Sequence, residues 1–310
     1  RDYYASRGLG DVYKRQDYRL AEYFYEVALM DMPEDSTADV LITNSKLRDI
    51  RMELGEFPSA LENGRKCIGM AGSFGSIADQ ILTQSYIMQA NICARMNDSI
   101  QAACLLDTAF QYALNAKTDL GEKMDQAMGG GVVYGRIRDW KTAESCYELA
   151  AEISRSCGDP EDRIRVLNLY GSSLYYNDKR QAALKAYEEQ REVCLNEYGE
   201  DSRQNQWANY CIANMSAFLG DTVRGAEIYS EVMDWYRARM TRDMRSMPST
   251  ERNAYLENMI DIIQNTIPFA AKAEMREDEF TRLAYEGLLL TKGLLLATEK
   301  STESIIREHG

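Results

Sequence analysis

The chain has 310 residues, and 49 acidic against 36 basic side chains leave it a net charge of −13. That balance argues against a nucleic-acid binder, which needs a basic face to release phosphate counterions, and against docking on anionic lipid. With only 5 prolines and with alanine, leucine, glutamate and arginine recurring throughout, an all-β or collagen-like fold is excluded as well.

Taken in chain order, the pattern predicts helical hairpins over 1–32, 36–71, 76–116, 119–158, 161–198 and 201–247. A helical pair over 249–273 and 277–308 follows. The hairpins form one domain, 1–247, and the terminal pair a second segment, 248–310. The signal is an internal repeat. Asn97-Asp98-Ser99-Ile100-Gln101-Ala102-Ala103 recurs as Asn177-Asp178-Lys179-Arg180-Gln181-Ala182-Ala183, with Arg138-Asp139-Trp140-Lys141-Thr142-Ala143 between them. Small residues at Ala21, Ala60, Ala103, Ala143, Ala183 and Gly225 then recur at a period of about 40. An aromatic often stands four residues later, as in Tyr25, Tyr147, Tyr187 and Tyr229, on the same helix face. About a dozen residues earlier lies a second small residue, Gly10, Gly131, Gly171 or Ala213, the expected close-contact point of the first helix. Breaks fall at Met32-Pro33, Ala71-Gly72-Ser73-Phe74-Gly75, Gly158-Asp159-Pro160 and Tyr198-Gly199, where helix-stop chemistry is strongest. Pro268 should kink the helix it occupies. No stretch alternates with period two long enough to read as a strand.

These residues resemble the tetratricopeptide repeat (TPR) family. Leu9-Gly10…Tyr13…Ala21…Tyr25…Ala28…Pro33 follows its pattern with one residue fewer in the turn, and Tyr170-Gly171…Leu174…Asp178…Ala183…Tyr187 follows it with family spacing. The resemblance covers 1–247 and implies an all-α, right-handed superhelical solenoid of helical hairpins, with a period longer than the usual 34. Asp11-Val12-Tyr13-Lys14-Arg15-Gln16 looks like a translated sequencing-adapter junction, which marks 1–16 as partly artefact.

In such an array the first helices build the concave face. Counted from Gly171, the groove side should display Arg165, Asn168, Ser172, Tyr175 and Tyr176, and the next hairpin should add Trp207, Tyr210 and Asn214. Aromatics beside amides suit an extended peptide, rings burying its apolar side chains and amides pairing with its backbone. The lysine- and asparagine-based clamp of the family's chaperone-tail receptors is not matched, since Asn168 stands where it wants a lysine.

Gly129-Gly130-Gly131 with Gly135 has neither the strand nor the Gly-Lys-Ser/Thr of a phosphate loop and reads as a helix-packing point. Acidic runs such as Glu277-Asp278-Glu279 and Glu188-Glu189 lack calcium-loop spacing and read as solvated helix faces. Seven cysteines without a C-x-x-C pair argue against structural zinc and read mostly as small buried hydrophobes in a reducing compartment. The single histidine, His309, sits at the chain's end, so no catalytic constellation, metal or cofactor is expected within this chain.

The most distinctive segment is Ala284-Tyr285-Glu286-Gly287-Leu288-Leu289-Leu290-Thr291-Lys292-Gly293-Leu294-Leu295-Leu296, preceded by the helix start Ser249-Thr250-Glu251-Arg252. Six leucines among nine positions cover more of a helix than a solvated terminal helix needs. The segment looks like the one that precedes the peptidase domain of CHAT proteins, the caspase-like family associated with TPR arrays. That resemblance implies a bacterial sensor or substrate-recruiting arm, non-catalytic in itself. It also implies a peptidase-like domain of the same polypeptide docking on Tyr285, Leu288, Leu289, Leu295 and Leu296. The partners expected are thus a protein or peptide ligand and that domain, with no nucleic acid and no membrane. A free-standing TPR scaffold and a signal-peptide-responsive regulator are the rival readings. Localisation is expected to be cytoplasmic, with an N-terminus that starts at Arg1 and looks incomplete.

Overall fold

The computed structural model describes residues 2–33, 36–246 and 285. These are helical throughout, with no strand among the described residues. They divide into two compact units, Val12–Asp178 and the remainder.

The first unit holds most of α1 (Asp2–Asp31), then α2 (Thr37–Leu54), α3 (Phe57–Met70), a 3-10 segment (Ala71–Ile77) and α4 (Ala78–Arg95). It continues with α5 (Ser99–Asn115), α6 (Leu120–Arg136), α7 (Trp140–Cys157) and α8 (Pro160–Tyr176). Helices pack as successive hairpins, α2 on α3, α4 on α5 and α6 on α7, and the first helices α4 and α6 also lie against each other. In the second unit α10 (Arg203–Phe218) packs between α9 (Arg180–Tyr198) and α11 (Thr222–Ser246).

Local chemistry explains these boundaries. Within the turns Gly55, Asn97, Arg138, Asp178 and Gly220 have φ of 79°, 62°, 66°, 58° and 89°, the left-handed conformation that ends one helix before the next begins. After three of these turns the next residue, an aspartate, caps the new helix. Asp98 accepts from the Gln101 N–H at 3.0 Å, Asp139 from that of Thr142 at 3.2 Å and Asp221 from that of Arg224 at 3.2 Å. Arg138 is the least suited to a left-handed backbone, a conformation worth about 1–2 kcal/mol of strain for an L-residue. Three backbone hydrogen bonds hold it there, from the N–H groups of Ile137, Arg138 and Asp139 at 3.1, 3.1 and 2.9 Å.

Two expectations need correction. Over 1–32 the chain forms no hairpin but one continuous helix, Asp2–Asp31. Elsewhere a left-handed residue stands five positions before the small contact residue; before Ala21 that position is Gln16, flanked by the helix formers Lys14 and Arg15, and the segment is one residue short. Secondly, the close-contact residue of α5 is Ala102, fully buried, rather than the half-buried Ala103. Counting five from the turn residue gives Ala60, Ala102, Ala143, Ala183 and Gly225, and the four alanines in that set are fully buried.

Side chains four residues past these points complete the packing. Tyr147, Tyr187 and Tyr229 are buried, and Leu106 takes the same place in α5. The glycine cluster is a packing point in mid-helix, as expected. A Cβ on Gly130 would lie 2.7 Å from Cζ of Phe110, and one on Gly131 would lie 2.6 Å from Cε1 of Tyr147. Glycine there lets rings from α5 and α7 sit directly on the α6 backbone.

The N-terminal helices are joined by a polar network. Arg51, at the end of α2, donates from Nε to Glu22 at 2.8 Å and from Nη1 to Asn63 at 2.7 Å, and its Nη2 pairs with Glu26. Asn63 in turn donates to Asn44 at 2.9 Å. One guanidinium thus ties α1, α2 and α3 together, with its side chain 17% exposed.

Candidate functional site

Within the first unit a cavity of about 590 Å³ opens along the first helices α4, α6 and α8. The repeat register places its lining. The fully buried Ala90 stands twelve residues before Ala102, as Gly131 and Gly171 stand twelve before Ala143 and Ala183. Six positions before Ala90, Gly131 and Gly171 stand Gln84, Asp125 and Arg165. Two positions before Gly131 and Gly171 stand Gly129 and Leu169, and one after Gly131 stands Val132. Steps of three and four residues keep these on one face of each helix. Gln80, Glu122, Gln126 and Met128 complete the wall.

The cavity is polar towards the start of these helices and apolar further on. Glu122 and Asp119 form a capping box: Asp119 accepts from the Glu122 N–H at 2.8 Å, and Glu122 accepts from the Asp119 N–H at 3.3 Å. The Gln80 amide also donates to Glu122. Arg165 pairs with Asp162 at 2.7 Å and with Asp125 at 3.6 Å. Partial desolvation against the wall, and then the neighbouring Asp162, hold the Asp125 carboxyl above its usual range. Gly129 forms the floor, where a Cβ would come 3.0 Å from Cγ2 of Ile87.

Gln126 is 8% exposed and borders both this cavity and another between α5, α6 and α7.

The residues expected to form the groove fall in different settings. Arg165 lines the cavity. Asn168 and Ser172 are half-buried on α8, and the Ser172 hydroxyl donates to the Asn168 carbonyl at 2.9 Å. Tyr176 stacks on Trp140 at 4.0 Å between ring centres and meets Tyr175 edge-on at 5.3 Å, close to the turn. Asn177 fastens that corner by donating to the Trp140 carbonyl at 2.8 Å and to Glu144 at 2.6 Å.

In the second unit Trp207 is half-buried and lies 5.5 Å from Tyr210. Tyr210 and Asn214 are each 6% exposed, so neither is displayed to a ligand. Tyr210 packs 6.3 Å from Tyr229, and burial pushes its phenol up to about 12, with hydrogen bonding to Asn214 opposing that rise. The Tyr210 ring lies against α11, which packs on α10 and covers it.

Of the docking face expected near the end of the chain, Tyr285 is helical and 62% exposed, while Leu288, Leu289, Leu295 and Leu296 lie outside the described residues, as do Pro268 and His309.

A second cavity, of about 480 Å³, lies between α5, α6 and α7 and is lined chiefly by apolar side chains such as Phe110, Leu114, Leu149 and Ile153. Cys146 borders it, with burial pushing its thiol up to about 11; burial raises Cys67, Cys93, Cys194 and Cys211 too. Thiols so raised are poor nucleophiles. Cys104 and Cys157, in contrast to the expectation for most of the set, are exposed. Among the described residues no three His, Cys, Asp or Glu side chains gather as a metal site, and no helix is long and apolar enough to cross a membrane.

No family model matches the sequence, and no curated protein matches it either. Solved structures do. BtubC (BKLC) from P. vanneervenii superposes with a TM-score of 0.57 at 18% identity, over 77% of this chain and 91% of its own. The apo form of RapI gives 0.58 at 12% identity, over 91% of this chain and 73% of its own. A STAND protein with a tetratricopeptide repeat sensor, from Pyrococcus horikoshii, gives 0.55 at 13% identity, over 96% of this chain and 49% of its own. At such identities the likeness is one of fold, and the fold of this chain is an all-α solenoid of TPR-like helical hairpins.

Proposed function

We propose that this chain is a repeat scaffold that captures an extended polypeptide segment in the cavity of α4, α6 and α8. The single observation that carries the reading is the lining of this cavity, which gathers the side-chain amides of Gln80, Gln84 and Gln126 beside apolar side chains. Side-chain amides both donate and accept, so they match the alternating N–H and C=O groups of a peptide backbone. Met128, Val132 and Leu169 supply an apolar wall for its side chains.

The test is a substitution that should weaken binding and spare the fold. Gln126→Leu removes one amide from the cavity wall at nearly constant volume, so stability from chemical unfolding should stay within about 1.5 kcal/mol of wild type. Binding of peptides selected on the wild-type chain should fall about tenfold, the loss of one or two buried hydrogen bonds. If those peptides bind Gln126→Leu as tightly as wild type, the groove is not where they sit.

We further propose, on the resemblance of Ser249–Arg252 and Ala284–Leu296 to the segment preceding CHAT peptidase domains, that the scaffold is the sensor or substrate-recruiting arm of a CHAT-type cysteine peptidase. The chain then binds and positions while catalysis belongs to the other domain. Sequencing the gene beyond codon 310 decides this: a caspase-like domain with its own histidine and cysteine is expected, and any other continuation overturns it.

A further inference from the structure

We propose that the cavity between α5, α6 and α7 is a site for a small amphipathic carboxylate, its apolar body inside and its head group on Lys123. It is a second site, on the other side of α6 from the groove and independent of the peptide reading.

Repeat register explains how the cavity arises. In the preceding repeat the matching cleft, between α3, α4 and α5, measures about 380 Å³ and is strapped by Gln89. That side chain lies on Gly64 and donates to the Leu61 carbonyl at 2.9 Å. Gln89 stands one residue before Ala90, and one residue before Gly131 stands Gly130, so α6 has no side chain to send across at that level. α5 accordingly meets α6 at few points, whereas α3 packs along α4 and α7 along α8. The gap widens to about 480 Å³, within the roughly 300–1,000 Å³ of small-molecule sites.

The chemistry of the lining selects the occupant. Phe110 closes the inner end, its ring resting on the bare Gly130 backbone, and burial there lifts the Cys146 thiol to about 11. Leu114, 86% exposed, and Leu149, 49% exposed, stand uncovered at the rim. The hydroxyls of Thr142 and Ser145 already donate to Asp139 and to the Lys141 carbonyl. Lys123 is the one charged side chain of the lining, and its ammonium pairs with no carboxylate among the described residues. Glu122 and Asp125, its neighbours in sequence, line the other cavity. A mainly apolar cavity with one free cation matches a ligand that is apolar apart from one anionic head. From Lys123 to Gly130 is seven residues, about 10 Å along α6 at 1.5 Å per residue, which sets the length of the body. Because the chain carries −13 overall, an anion held here is held by local contact and not by a general field.

Decanoate is the probe, titrated calorimetrically into the full 310-residue chain beside decanol, which has the same tail and no charge. One saturable site for decanoate is expected. Lys123→Gln should weaken decanoate about tenfold and leave decanol within twofold. Lys123 is exposed and unpaired, so this variant should melt like wild type. Ala113→Trp, which fills the cavity, should abolish the binding of both probes. Decanoate that does not saturate by about 1 mM, or that binds Lys123→Gln as tightly as wild type, overturns the proposal. Equal weakening of decanoate and decanol by Lys123→Gln overturns it too, since the lysine would then act through shape and not through charge. Binding untouched by a folded Ala113→Trp chain places the probe elsewhere and overturns the site. If Ala113→Trp melts below wild type, the two Lys123→Gln titrations decide alone.

Discussion

Replacing Arg51 with alanine should destabilise the N-terminal helices by about 1–3 kcal/mol, the loss typical of leaving buried hydrogen-bonding groups unserved, since Glu22 keeps its pair with Arg19. The substitution leaves Glu22, 8% exposed, and Asn63, 2% exposed, without the donor that now joins them. In a solenoid each helix pair is supported by its neighbours, so the loss should concentrate where the network lies. Hydrogen exchange should quicken across α1 to α3 and change little in α6 to α8. Uniform exchange rates, or no change, would show that the network contributes nothing local. Lysine at position 51 should recover little of the loss, because a point charge cannot serve Glu22, Glu26 and Asn63 together.

The same network predicts a pH dependence. Burial by itself raises the Glu22 carboxyl, but hydrogen bonds from Arg51 and then Arg19 outweigh it, and the group titrates below its ordinary 4.5. A depressed folded value means that the stabilisation is complete above the unfolded value and is lost as pH falls through the folded one. Between about pH 5 and pH 3, wild type should therefore lose stability more steeply than Glu22→Gln. Parallel acid limbs in the two proteins would contradict the assignment.

Tyr147→Ala is expected to cost about 3–5 kcal/mol as a buried aromatic truncation. Its ring, 4% exposed, rests on the bare backbone of Gly131. The converse change is more diagnostic. Gly131→Ala would normally favour a helix by about 1 kcal/mol, yet here its methyl would drive into the ring, and overpacking should cost about 1–3 kcal/mol. Combined with Tyr147→Ala, the methyl gains space, so the double variant should be more stable than the sum of the two losses implies. Strict additivity would show that ring and glycine are not partners.

Much of this architecture was legible because turn chemistry and helix periodicity are local. Asp98, Asp139 and Asp159 announce helix starts, and Gly55 and Gly220 announce turns. Errors arose where a one-residue choice decided the outcome. Ala102 and Ala103 are chemically alike, and only the distance from the left-handed Asn97 separates them. At Gln16 the missing turn residue changed a hairpin into a continuous helix.

The candidate site was half legible. Arg165 was identified from its register, six residues before Gly171, and the same count applied to the two preceding hairpins gives Asp125 and Gln84. Aromatic content drew attention instead to Tyr210, whose burial depends on α11 and so on residues nearly twenty positions away.

The most direct test of the groove is photocross-linking. A selected nonapeptide carrying a diazirine side chain at its centre, irradiated with the full chain and mapped by mass spectrometry, should label Gln84, Met128 or Leu169. Adducts at Leu114 or Leu149, on the opposite cavity, would contradict the central claim.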